Sequence, residues 1–182
     1  MGGAMMDDSV LVEKTGKVAV VKLNEPDSLN ALSPGLKSTL MDALDQLQED
    51  DEAAALVLTG NGRAFCAGGD IRAMGGNVTV LQGKEMMEEA ARIVQKLTTM
   101  KKPVVAAVHG YAVGAGFSIA LACDLIVAEE GTKFGLAFKN IGLIPDLGLH
   151  YFLLRAVPPW KAKEWIWTGA MVSADEGFRY GL

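Results

Sequence analysis

Two turns built from small residues could do chemistry with their backbone alone. One is Ala67-Gly68-Gly69-Asp70, and the other is Gly114-Ala115-Gly116, which follows the β-branched run at 104–108. A buried strand that enters a helix through such a turn leaves unbonded N–H groups at the helix start, and these groups can bind a negative oxygen. We predict that both turns face one pocket and that their backbone N–H groups together hold one oxygen.

A single carboxylate, Asp146, lies in a strongly apolar stretch, between Leu143-Ile144-Pro145 and Leu147. Pro145-Asp146 could simply start a bend at the surface. Alternatively, the carboxylate lies in the pocket and transfers protons, and burial would then raise its pKa into a range that suits proton transfer near neutral pH. We favour the acid/base interpretation, and the surface turn is the alternative.

The cysteines and histidines are weaker candidates. Cys66 is close to Gly69 and could be a nucleophile, but no residue is placed to activate it, so a buried structural thiol is favoured. Two histidines and two cysteines, widely spaced, predict no metal site. No GxGxxG motif follows a strand, so no dinucleotide is expected.

Composition restricts the partners and the compartment. The net charge of −5 provides no basic surface, so nucleic acid is not an expected partner. Two cysteines cannot form a disulfide framework, and with no signal peptide they predict a cytoplasmic protein. The uncharged run at 103–123 has about the length of a membrane span. Its three glycines and His109 favour a buried strand, turn and helix instead, and no membrane association is expected.

Strands and helices alternate along the chain. Apolar runs predict strands at 18–23, 54–59, 104–108 and 125–128. Ser33-Pro34 is typical of a helix start, and a leucine stripe follows it. A second helix is predicted at 85–100 after an irregular, mobile segment that ends at Gly83, and 134–148 is predicted to be irregular. This order predicts an α/β fold, with residues 1–182 as a single core domain.

Four pieces of the sequence, in order, resemble the enoyl-CoA hydratase/isomerase (crotonase) superfamily. They are Asn30-Ala31-Leu32, GRAFCAGGDI at 62–71, KPVVAAVHGYAVGAGFSIALACD at 102–124 and IGLIPD at 141–146. The resemblance covers almost the whole chain. It implies a crotonase-like spiral of strand-strand-helix repeats, usually assembled as a trimer or a dimer of trimers. It also implies chemistry on an enolate formed from an acyl-CoA thioester.

The resemblance assigns roles to particular residues. The two oxyanion N–H groups of the family correspond to Gly69 and Ala115, in agreement with the interpretation from local chemistry. Coenzyme A, which is part of the substrate and not a separate cofactor, is expected to contact a set of residues in the two upstream motifs, namely Ala31, Leu32, Ala67, Asp70 and Ile71. Arg72 could pair with a phosphate, although a solvated surface arginine is the simpler interpretation.

The sequence departs from the hydratases of this family at two positions. Hydratases hold water with one Glu in the helix after the glycine turn and a second Glu about twenty residues later, and Ser118 and Phe138 occupy the matching positions here. Neither side chain can act as a carboxylate base. Certain isomerases, dehalogenases and hydrolases of the superfamily use an Asp at the position of Asp146. The run LAFKNIGLIPD most resembles ring-1,2-epoxyphenylacetyl-CoA isomerases of phenylacetate breakdown.

The sequence therefore predicts an acyl-CoA isomerase in which Asp146 carries a proton between carbons of an enolate held by Gly69 and Ala115. A hydratase with an atypical site is one alternative, and a non-catalytic acyl-CoA-binding or assembly protein is another. Family members continue beyond Gly181-Leu182 with helices that cover the pocket and build the trimer. We expect this chain to lack that C-terminal helical segment, to oligomerise weakly and to have low activity.

Overall fold

A computed structural model describes residues 8–70 and 79–182. Within these ranges the chain forms eight strands and six α-helices. The strands are β1 (Val10–Thr15), β2 (Val18–Leu23), β3 (Ala55–Gly60), β4 (Val104–Val108), β5 (Tyr111–Val113), β6 (Leu125–Ala128), β7 (Lys133–Gly135) and β8 (Met171–Ser173). The helices are α1 (Pro34–Glu49), α2 (Val80–Thr99), α3 (Ala115–Ala122), α4 (Leu149–Ala156), α5 (Pro159–Thr168) and α6 (Ala174–Tyr180).

The first two helices begin at side-chain caps. The Ser33 hydroxyl accepts a hydrogen bond from the N–H of Leu36 over 3.0 Å, and Pro34 occupies the first helical position, so the predicted start of α1 is confirmed. Helix α2 begins earlier than predicted, because Thr79 and Gln82 form a reciprocal capping box. Residues 79–83, predicted to be irregular, therefore belong to this cap and helix.

A five-stranded sheet with the order β1-β2-β3-β4-β6 forms the main layer. β1 and β2 pair antiparallel, and the other neighbours pair parallel. Parallel neighbours need a crossover connection, and α1 supplies it between β2 and β3, whereas α2 supplies it between β3 and β4. The leucines at 36, 40, 44 and 47 of α1 are buried in the core, as their spacing predicts.

A smaller sheet has the strand order β5-β7-β8. Its three strands have three residues each, and none of them was predicted. Part of the 134–148 stretch, predicted to be irregular, is in fact β7 and a 3-10 helix, Ala137–Ile141. The order β1-β2-α1 and then β4-β5-α3 gives the strand-strand-helix repeat that the resemblance implies.

Helix α3 is the most deeply buried element, since seven of its eight residues are buried. The uncharged run at 103–123 is not one long helix. It forms β4, a turn and α3, as predicted, and also the short strand β5, which was not predicted. In the described parts of the chain, no helix combines the length and the apolar character needed to cross a membrane.

Candidate active site

The direction of the Gly69 N–H follows from the peptide bond that joins it to Gly68. The Gly68 carbonyl accepts a hydrogen bond from the N–H of Leu32 over 2.8 Å. This peptide is trans, as are all those described, so its N–H and C=O groups point in opposite directions. The N–H of Gly69 therefore points away from Leu32.

The N–H of Ala115 is directed in the same way by the peptide before it. Ala115 is the first residue of α3, and the carbonyl of Gly114 accepts from the N–H of Ser118 over 3.1 Å. Because the Gly114 carbonyl points along the helix, the Ala115 N–H points outward from the helix start. The helix dipole adds partial positive charge at this end.

These two N–H groups open into one cavity. A methyl group placed on Gly68 would lie 3.4 Å from the Ala115 nitrogen, so the two turns are in close contact. Both Gly69 and Ala115 line a cavity of about 340 Å³. Within the described residues, neither N–H donates to a backbone carbonyl outside its own helix or strand. The geometry therefore meets the condition that both turns face a common cleft.

Three parts of the chain complete the cavity wall. They are the first turns of α1, one face of α2, and the loop that contains the 3-10 helix 137–141 and the residues up to 147. The lining residues beyond the two turns are mostly apolar and include Leu32, Pro34, Met86, Met87, Ala90, Val113, Ala137, Phe138, Ile141, Leu143 and Leu147. An apolar wall with a few convergent polar groups is typical of a small-molecule site.

Asp146 lies in this wall. Its Oδ1 atom is buried and has no hydrogen-bond partner among the described residues. Burial raises the pKa of the carboxyl above its ordinary value, while its own backbone N–H and the charge of His150 oppose the rise. Asp146 does start a turn, because its carbonyl accepts from the N–H of Leu149 over 2.9 Å, but its Oδ1 is buried in the cavity wall and not exposed at the surface. A carboxylate with a raised pKa can exchange a proton with a group in the cavity.

The two positions at which family hydratases carry glutamates provide no carboxylate in this chain. Ser118 is fully buried and does not line the cavity, and Phe138 is a buried part of the wall. The Phe138 ring comes within 3.8 Å of a methyl group placed on Gly114. The position of the second hydratase glutamate is therefore apolar in this chain.

The predicted coenzyme A contacts divide into three groups. Leu32, Ala67 and Asp70 line the cavity. Ala31 is not part of the lining, although it directly precedes Leu32 and is half-buried. Ile71, together with Arg72, lies outside the described residues.

Cys66 and His109 do not line the cavity. Cys66 is fully buried, and burial raises the pKa of its thiol to about 12. Because the nucleophilic form of cysteine is the thiolate, this thiol is unreactive near neutral pH. His109 bonds through Nε2 to the carbonyl of Gly62 over 3.1 Å, so it has a structural partner.

Sequence reasoning missed the positioning role of Asn30. This residue is fully buried, and its φ of +56° is left-handed. Its side chain donates to the carbonyls of Asn61 and Ala64 and accepts from the N–H of Glu25, at 2.8 to 2.9 Å. The Asn30 side chain therefore braces two loops: its hydrogen bonds join the loop that contains Glu25 to the loop that contains Asn61 and Ala64. Its position shortly after Glu25-Pro26-Asp27, which ends the preceding strand, was the available signal, since asparagine tolerates this backbone region.

Sequence reasoning also missed Lys37. This buried lysine of α1 lines the cavity and forms a salt bridge of 2.8 Å with Glu89 of α2. The hydrogen bond from Lys37 lowers the pKa of Glu89. Lys37 shares a helix face with the buried Leu40 and Leu44, a spacing that could have indicated its burial. The pair joins the two helices at the cavity wall.

Known proteins resemble this chain over nearly all its length. The family model described as enoyl-CoA hydratase/isomerase matches residues 13–182. The crotonyl-CoA hydratase of Syntrophomonas wolfei is 34% identical over 98% of this chain and 68% of its own length. The short-chain-enoyl-CoA hydratase of Clostridium acetobutylicum is 36% identical over 96% of this chain and 67% of its own length.

Solved structures lead to the same family. The enoyl-CoA hydratase of Bacillus anthracis superposes with a TM-score of 0.91 at 33% identity, covering 95% of this chain and 67% of that one. The chain spans about two thirds of the length of the relatives it matches. The family match, the sequence identities and the superposition agree with the cleft between the two turns, and the chain belongs to the enoyl-CoA hydratase/isomerase family of the crotonase superfamily.

Proposed function

We propose that this chain stabilises the enolate of an acyl-CoA thioester and moves a proton between two carbons of the acyl group. One observation carries the proposal: Gly69, Ala115 and Asp146 line one cavity, and the buried Oδ1 of Asp146 has no hydrogen-bond partner among the described residues. Two preorganised donors and one proton carrier are what an enolate reaction needs.

The reaction runs in two proton transfers. The thioester oxygen accepts hydrogen bonds from the N–H groups of Gly69 and Ala115, which makes the neighbouring carbon more acidic. Asp146 takes a proton from that carbon, and the electron pair moves onto the thioester oxygen as an enolate. Asp146 then returns the proton to the γ-carbon of a 3-enoyl chain, the oxygen loses its negative charge, and the double bond lies between the α- and β-carbons.

Ala31, Leu32, Ala67 and Asp70 are the described residues that we propose to contact coenzyme A. Three of them line the cavity beside Gly69, so a thioester bound there would reach the two donors. The same proton transfer could open a strained ring at the β-carbon, as the resemblance to ring-1,2-epoxyphenylacetyl-CoA isomerases implies: the α-proton leaves and the β-carbon–oxygen bond breaks.

Isomerisation is favoured over hydration by the side chains at the two hydratase positions. Ser118 and Phe138 replace the carboxylates that would hold and activate water, and the Phe138 ring makes that part of the wall apolar. Hydration is the second candidate, because several similar proteins are named as hydratases. In that case Asp146 alone would have to activate the water.

Exchange of the α-protons of butyryl-CoA in D₂O, followed by NMR, tests the step that every version of the proposal shares. We expect exchange with the wild-type chain and a rate lower by about 10²- to 10⁴-fold in Asp146→Asn, the typical range for losing a general acid or base. Asp42→Asn, on the exposed side of α1, is the control for loss of one negative charge and should leave the rate unchanged. An unchanged rate in Asp146→Asn would exclude this residue from the chemistry.

Two further substrates separate the candidate reactions. A 3-hexenoyl-CoA converted to the conjugated 2-enoyl thioester supports isomerisation, and loss of the conjugated absorbance of crotonyl-CoA supports hydration. Binding of butyryl-CoA in a calorimeter, with no exchange and no turnover, would instead support a non-catalytic acyl-CoA-binding protein.

A further inference from the structure

The buried hydroxyl of Ser118 joins the two halves of the candidate site. Its Oγ lies 3.3 Å from the carbonyl oxygen of Gly114 and 3.2 Å from the carbonyl oxygen of Asp146. The first contact is the bond to the fourth preceding residue that any helical serine can make. The second contact joins residues 28 positions apart. It ties the start of α3, where Ala115 lies, to the turn that carries the acid.

The turn that carries Asp146 has a disfavoured backbone conformation, so contacts from neighbouring elements must hold it in place. Leu147 has a φ of +47°, a left-handed conformation that is disfavoured for a residue with a side chain. Conformations of this kind persist only where the surrounding structure holds them. The Asp146 carbonyl accepts from the N–H of Leu149 over 2.9 Å and also from Ser118, so the turn is held from within and from α3.

The Asp146 carboxylate has no comparable anchor of its own. Its Oδ1 has no hydrogen-bond partner within the described ranges. The charged neighbour that acts on it there is His150 of α4, and its own backbone N–H also favours the ionised form. Because no described side chain donates to Oδ1, the carboxylate takes its position from the backbone to which it is attached.

We propose that Ser118 is a positioning residue for the proton transfer. Its hydroxyl holds the Asp146 backbone at a set distance from the start of α3, so that the carboxylate reaches the carbon next to a thioester bound at Ala115. Ser118 does not line the cavity, and it acts only through Asp146. The inference rests on the proposed function, because it needs Asp146 to be the proton carrier.

A double-mutant cycle in the full chain tests this inference, with the α-proton exchange of butyryl-CoA as the readout. Ser118→Ala should lower the exchange rate at saturation about tenfold, since small misplacements of a reacting group are costly, and should change KM less than about twofold. In the Asp146→Asn background the same substitution should have no further effect. A merely structural role for Ser118 would lower the rate by the same factor in both backgrounds.

Ser118→Thr is the matched control, because it keeps the hydroxyl. It should retain most of the wild-type rate. The pKa of Asp146, measured by ¹³C NMR and assigned by comparison with Asp146→Asn, should fall towards the ordinary aspartate value in Ser118→Ala, because the carboxylate moves out of the cavity. It should not fall in Ser118→Thr.

The outcomes separate the two proposals. A wild-type rate in Ser118→Ala, together with a slow Asp146→Asn, overturns the positioning role and leaves the proposed function standing. Equal loss in both backgrounds also overturns the positioning role. No exchange by the wild-type chain, or an unchanged rate in Asp146→Asn, overturns the proposed function and the positioning role with it.

Discussion

The N–H of Leu32 donates to the carbonyl of Gly68 over 2.8 Å, and this bond determines where the N–H of Gly69 points. Leu32 belongs to the Asn-Ala-Leu motif, and Gly68 belongs to the Cys-Ala-Gly loop. The two motifs are separated by more than thirty positions in the sequence, yet they form one structural unit, which also includes an isolated parallel bridge between Leu32 and Gly69. The backbone of the first motif therefore orients a donor of the second.

Gly68→Ala should damage this unit. The added methyl group would lie 2.6 Å from the carbonyl oxygen of Val113 and 3.4 Å from the nitrogen of Ala115, and φ at this position is +99°. We expect the free energy of unfolding to fall by about 2 kcal/mol from backbone strain and the exchange rate of butyryl-CoA to fall with it. Urea unfolding and the exchange assay measure the two effects.

Gly16→Ala is the control for strain without crowding. Gly16 has a φ of +58°, and a methyl group there would have nothing within 4 Å. It should cost about 1 kcal/mol and leave exchange unchanged. Equal exchange rates in the two variants would show that the contact between the turns is not needed for chemistry.

Ala115→Pro should remove one oxyanion donor with little effect on the helix. Proline is well tolerated at the first position of a helix, and Ala115 occupies that position in α3. Loss of one such donor typically slows the reaction by about 10²-fold. The exchange rate measures this loss, and circular dichroism tests whether the helix content is kept.

Val80→Pro is the matched control. Val80 is the first residue of α2, and it is 94% exposed. This variant should exchange the α-protons of butyryl-CoA at the wild-type rate. If Ala115→Pro also kept the wild-type rate, the Ala115 N–H would have no part in stabilising the enolate.

Local sequence patterns predicted the elements whose start, end or buried face is marked by neighbouring residues. The start of α1 follows from Ser33 and Pro34, and its buried face follows from leucines spaced at three and four residues. Likewise, β4 and α3 follow from a β-branched run, a glycine turn and an apolar stretch. These signals act within a few residues, so they can be recognised without knowledge of the fold.

The parts that were missed depend on distant partners. Strand β5, with only three residues, exists because β7 pairs with it on one side and Cys66 bridges to Ala112 on the other. The contact of Ser118 with Asp146 is likewise set by how α3 packs against the following loop. Neither relationship leaves a periodic trace in the sequence. The likeness to a known family supplied the pairing of Gly69 with Ala115.

The buried carboxyl of Asp146 should make stability depend on pH. Its folded-state pKa is raised by burial above the ordinary 3.8. A group of this kind contributes stability that is fully present below the unfolded pKa and is lost as the pH rises through the folded pKa. At pH 7 the raised pKa therefore costs the wild-type chain stability, and Asp146→Asn, which cannot ionise, should unfold at a higher urea concentration.

The difference between the two chains should narrow as the pH falls below 3.8, where the wild-type carboxyl is protonated in both states. Urea midpoints at pH 7 and near pH 3.5 measure this change. Asp42→Asn, at an exposed position, should show no comparable gain at pH 7. A lower midpoint for Asp146→Asn at pH 7 would contradict the assigned burial cost.

Asn30→Ala should be among the most destabilising single substitutions outside the apolar core. The buried amide makes three hydrogen bonds, to Glu25, Asn61 and Ala64. At about 1 kcal/mol each, their loss should lower the free energy of unfolding by about 3 kcal/mol. Because Asn30 lies two residues before Leu32, which lines the cavity, the affinity for butyryl-CoA should fall as well.

Asn61→Ala is the control. It removes an exposed amide and keeps the carbonyl that Asn30 uses, so it should lower the free energy of unfolding far less. Equal urea midpoints for the two variants would show that the Asn30 side chain does not brace the loops.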